Sequence, residues 1–76
     1  MQVEIQIKNV YGVEKAYPVN DTAFAIARIA NTKTLTRNSL AGVLSLGLII
    51  VELDKYGRPC RTFRAPSDAS NLPMVG

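Results

Sequence analysis

Residues 2–8 read Gln2-Val3-Glu4-Ile5-Gln6-Ile7-Lys8, an unbroken alternation of polar and apolar side chains. A period of two puts Val3, Ile5 and Ile7 on one side of an extended chain, so the stretch predicts a strand with one wet face. Asn9-Val10-Tyr11-Gly12 supplies turn chemistry, because Asn and Gly tolerate positive φ. A second strand is predicted over Val13–Val19. Pro18 has no N–H to give a ladder, which puts this strand at the sheet edge or ends it there.

Downstream the period changes. Asn20-Asp21-Thr22 starts a helix: each side chain can cap free N–H groups, and Asp21 also complements the positive end of the helix dipole. Ala23, Ile26, Ala27 and Ala30 recur at helical spacing with Phe24 and Ile29 on the flanks, and Asn31 suits a left-handed terminator. With Thr36 as cap, a second helix has Leu35 and Leu40 at the positions of a hydrophobic staple. Its stripe continues through Val43 and Leu44, and Gly47 stops it where glycine is preferred. Gly42 in mid-helix costs about 1 kcal/mol relative to Ala. A close approach by the first helix would account for it, and so would a tolerated defect.

Leu48-Ile49-Ile50-Val51 is continuously apolar and mostly β-branched, the pattern of a strand covered on both faces. Lys55-Tyr56-Gly57-Arg58 reads as a turn, after which Cys60–Arg64 can return as a hairpin arm. Past Ala65 the chain is rich in Pro, Ser, Asp and Asn. The reading is one α+β domain over residues 1–64, a small antiparallel sheet packed on a helical hairpin in the order β-β-α-α-β(-β), with 65–76 a flexible C-terminal tail.

Composition narrows the chemistry. The chain has 76 residues, 47% of them hydrophobic, enough for one small domain with little core to spare. It has no His and one Cys, which removes nucleophile–base pairs built on imidazole and an internal disulfide. One thiolate, no imidazole and no carboxylates at ligand spacing leave nothing for a metal site of the usual kind. The glycines form neither a phosphate loop nor a dinucleotide fingerprint. Lys33 and Ser39 belong to a helix approach and a cap, and Cys60, though set among arginines, has no base partner. The expectation is no enzyme, no metal and no cofactor. The longest apolar run, Val43–Val51, is interrupted and far short of the roughly 20 residues of a membrane span. No signal peptide is visible, so the expected setting is soluble and cytoplasmic, without membrane association.

The formal net charge is +3, and its distribution is uneven. Residues 55–64 hold Lys55, Arg58, Arg61 and Arg64 with no acid among them. Such a cluster attracts phosphates or an acidic protein face, or stands as a solvated edge. Tyr56, Arg58, Arg61, Phe63 and Arg64 form the candidate partner-binding patch, since Tyr and Arg are enriched at binding hot spots. Tyr11 is expected to pack over its own turn.

Two resemblances bear on function. Residues 22–64, with Leu46-Gly47-Leu48-Ile49 leading to Asp54-Lys55-Tyr56-Gly57-Arg58, resemble part of a winged helix-turn-helix, with a strand hairpin in place of the helix that completes a three-helix core. That resemblance implies a DNA-binding regulator contacting nucleic acid through Lys33, Thr34, Thr36, Arg37 and Asn38; those residues equally serve to cap the helix. Asn9-Val10-Tyr11-Gly12, Tyr17-Pro18-Val19, the Ala-rich helix and Lys33-Thr34-Leu35-Thr36 through Leu46-Gly47 are similar to small uncharacterised accessory proteins of phages and prophages of proteobacteria, over about residues 3–50. This second resemblance implies stoichiometric binding to a host protein or protein–nucleic acid complex, including defence components such as CRISPR effectors. Monomer and homodimer are both open.

Overall fold

The computed structural model describes residues 1–75. Strands β1 (Gln2–Val10) and β2 (Val13–Pro18) form an antiparallel hairpin closed by the Val10–Val13 pair. Helices α1 (Asp21–Ile29) and α2 (Arg37–Ser45) follow, then β3 (Ile49–Leu53) and β4 (Pro59–Phe63), a second antiparallel hairpin. The sheet order is β2-β1-β3-β4. Pro18 is the last residue of an edge strand, where its missing N–H costs no ladder bond.

The central pair corrects the expectation of a wholly antiparallel sheet: β1 and β3 run parallel, with Val3 opposite Ile50 and Gln6 opposite Leu53. The helical hairpin is the cause. The chain leaves the sheet where the Val19 N–H donates to the Glu4 carbonyl at 2.9 Å, and rejoins it where Ile49 pairs with Gln2. Two helical passes thus return the chain to the end at which β1 begins, and β3 can only run beside β1 in the same sense.

Both helices carry the predicted ends. Asn20 caps α1, its Oδ1 accepting from the Ala23 N–H at 3.0 Å, and Asn31 takes the left-handed φ of 58° beyond the last turn. Thr36 caps α2 through Ser39, and Gly47 stops it at φ 85°. The staple residues Leu35 and Leu40 are fully buried. Val3, Ile5, Ala16, Ile50 and Phe63 from the sheet meet Ala23, Ala27, Leu40, Val43 and Leu44 from the helices in one core. A Cβ added at Gly42 would meet nothing within 4 Å, so no close approach by α1 accounts for this glycine.

The packing does not end at residue 64. Residues Pro66–Asn71 wind into a short 3₁₀ segment against α2, and Leu72 and Val75 are buried in the core. The Asp68 carboxylate accepts from the Arg64 and Ala65 N–H groups at 2.9 and 3.2 Å, turning the chain back over the helix. The polar composition of 65–71 is that of a turn leading two apolar residues home, which corrects the expected tail. Among the described residues no helix is long and apolar enough to cross a membrane.

Candidate functional site

The β3–β4 connection is fastened by one carboxylate. Asp54 Oδ1 accepts from the N–H groups of both Tyr56 and Arg58 at 2.9 Å, and the Asp54 N–H donates to the Arg58 carbonyl at 2.8 Å. From β1, Gln6 Nε2 donates to the Asp54 carbonyl at 2.7 Å, tying the turn to the sheet. These bonds hold one Asp54 oxygen within the loop and leave the side chains of Lys55, Tyr56 and Arg58 exposed. Tyr56 is 75% exposed, with Lys55 Nζ 5.1 Å from its ring centroid. Arg58 and Arg64 are exposed and, with Lys55, have no carboxylate partner among the described residues.

The structure divides the sequence-derived patch. Phe63 is buried: it lies opposite Ile50 on the helix-facing side of the sheet, so the pleat that exposes its neighbours sends its ring into the core. It is not an exposed anchor. Arg61 lies opposite Glu52, and its guanidinium, 5.6 Å from the Phe63 ring, is paired with that carboxylate. Tyr56 and Arg58 stand together at the turn, and Arg64 follows the strand.

The second set is likewise split. Thr36 is consumed as the α2 cap. Arg37 donates to the carbonyls of Ala69 and Ser70 at 3.3 Å, and its own N–H donates to the Val75 carbonyl. Its Nε is buried without a partner. The C-terminal segment therefore covers the start of α2. The Thr34 carbonyl accepts from the Thr32 hydroxyl at 2.7 Å, while Lys33 and Asn38 are exposed. Lys33 lines an open cleft of about 740 Å³ beside α1, with Phe24, Arg28 and Asn31.

Tyr11 is the residue that sequence reasoning misplaced. It does not lie over its turn; its exposure is 101%, that of a free side chain. Tyr11 and Gly12 form a two-residue loop with φ of 52° and 82°, the pattern of a type I′ hairpin. Asn9, the residue suited to a left-handed site, instead stays in β1 and accepts the Gly12 N–H at 3.0 Å. The signal was the bare Tyr-Gly pair between alternating strands. Lys8 Nζ stands 5.3 Å from the Tyr17 ring on the same hairpin.

Cys60 is exposed on β4, and no three His, Cys, Asp or Glu side chains gather at metal-binding distance among the described residues. Compared with protein-family models, with curated proteins and with solved structures, the chain matches none. What the fold and the site define is a small α+β domain with a four-stranded mixed sheet and a fastened, cation-bearing hairpin turn.

Proposed function

We propose that this chain is a non-enzymatic binding protein of the phage accessory kind, which occludes a surface of a host target such as a component of a defence system. The observation that carries the reading is the β3–β4 turn. One Asp54 oxygen fastens the loop backbone, so Lys55, Tyr56 and Arg58 are displayed on a tied turn, and neither cation forms an ion pair with a carboxylate among the described residues. A pre-ordered turn loses little entropy on docking, and Tyr and Arg are among the residues enriched where binding energy concentrates. Arg64 extends the positive surface, whereas Arg61 and Phe63 serve the fold.

Affinity capture from host lysate tests this. One stoichiometric partner is expected, released when Lys55 and Arg58 are both changed to Glu while the far-ultraviolet dichroism is unchanged. Full retention by that double variant would show that the turn is not the docking surface. Duplex DNA binding lost on Lys33→Ala and Asn38→Ala would favour the regulator instead.

A further inference from the structure

We infer that the sheet end where both hairpins turn seats single-stranded nucleic acid, with Tyr11 and Tyr56 as stacking platforms and the flanking cations along the phosphates. This rests on the binding reading of the β3–β4 turn and names the class of partner it would take.

The topology makes the juxtaposition. Because β1 and β3 are parallel, the β1–β2 and β3–β4 turns fall at the same end of the sheet, away from the end where the helices enter and leave. An antiparallel central pair would have set the two tyrosines at opposite ends. Instead one end carries Tyr11 at 101% and Tyr56 at 75% exposure, with the exposed Lys8, Lys55 and Arg58 on the same two hairpins. The acids there are Glu14 and Asp54, the latter with one oxygen bound to the turn N–H groups, so the three exposed cations outnumber them.

Tyr11 gives the fold nothing for the conformation it holds. A bulky side chain at φ 52° is disfavoured, and Asn is the residue such a loop prefers. Its ring contacts no core that would compensate, being fully exposed. Strain held at a site with no internal return points to a role outside the chain.

Two exposed rings bordered by cations, Tyr56 with the Lys55 ammonium over one face and its other face open to a base, match unpaired bases on a phosphate backbone, because every base offers a face to stack on. An acidic peptide would satisfy the cations through its carboxylates but offers no regular series of flat faces for the two rings. A duplex hides its base faces within the stack.

The test uses fluorescence anisotropy with a labelled oligothymidylate of about 12 nucleotides, a length spanned by small single-strand binders. Binding is expected at about 50 mM salt and should fall steeply by about 200 mM. Tyr11→Ala and Tyr56→Ala should each weaken it about tenfold, with Tyr11→Phe close to the parent. Tyr11→Asn should weaken it equally while raising the melting temperature, separating recognition from folding. No binding at low salt, equal binding of a duplex, equal competition by polyglutamate, or indifference to both alanine variants would each overturn the inference. If the oligonucleotide fails while the Lys55 and Arg58 reversals still release a captured host protein, the partner class is wrong and the proposed function stands. If the oligonucleotide binds as described and those reversals leave the captured protein in place, the reverse holds.

Discussion

Arg61 and Glu52 face one another across the β3–β4 pair, and the guanidinium Nε and one terminal nitrogen both donate to the same carboxylate oxygen, at 3.1 and 2.6 Å. The side chains are 52% and 12% exposed, so solvent screens the arginine end of the pair. This single relationship removes the central cation of the 55–64 cluster from the candidate surface and turns it into a brace between strands.

Because the pair is half in water, Arg61→Ala should cost less than about 1 kcal/mol. Arg61→Glu should cost more, since it sets two carboxylates opposite each other. Urea unfolding of both variants measures the difference, and equal stability of the two would show that Glu52 has turned away. Neither change should alter capture of the proposed partner, whereas Arg58→Glu should weaken it.

Removal of residues 66–76 should destabilise the domain by about 3 kcal/mol or more, because it strips Leu72 and Val75 from the core. A chain this small has a total of roughly 4–11 kcal/mol to lose. Thermal unfolding should show a marked drop in midpoint. An unchanged midpoint would mean that the segment adds nothing to the packing.

Gly42→Ala should stabilise the protein by about 1 kcal/mol, the helix-propensity difference, since the new methyl group meets nothing within 4 Å. In a domain this size that raises the melting temperature by about 4–8 °C. A decrease would place an unseen neighbour over α2.

Asn20 does more than cap a helix. Its Oδ1 also accepts from the Glu4 N–H at 3.2 Å, and its Nδ2 donates to the Gln2 carbonyl at 3.0 Å, joining α1 to β1. Asn20→Ala should therefore cost about 2 kcal/mol, the upper part of the range for lost caps, against about 1 kcal/mol for Thr36→Ala. Asn20→Asp keeps the acceptor and loses the donor, and should fall between Ala and the parent in denaturant titrations.

Tyr11→Asn should stabilise the fold by about 1 kcal/mol, relieving a left-handed tyrosine. Calorimetry reads this directly; no gain would remove the claim that the residue is held at a cost.

Much of the fold is legible in the sequence. The alternation of residues 2–8, the caps at Asn20 and Thr36, the stops at Asn31 and Gly47, and the edge position forced by Pro18 depend on residues within a turn or two of one another. Steric limits on φ and the satisfaction of nearby N–H groups act at that range, and the sequence displays both.

The candidate site was half legible. The turn, its cations and Tyr56 follow from composition. The fates of Phe63, Arg61, Arg37 and Tyr11 depend on which strand lies opposite, which face the helices cover and where the last residues return. A one-residue change of register would reverse every side chain of a strand, and no local preference forbids it. Local chemistry thus determined the elements and their ends. The parallel β1–β3 pairing, the buried C-terminal segment and the gathering of two tyrosines at one end were decided only when distant segments competed to cover the same apolar surface.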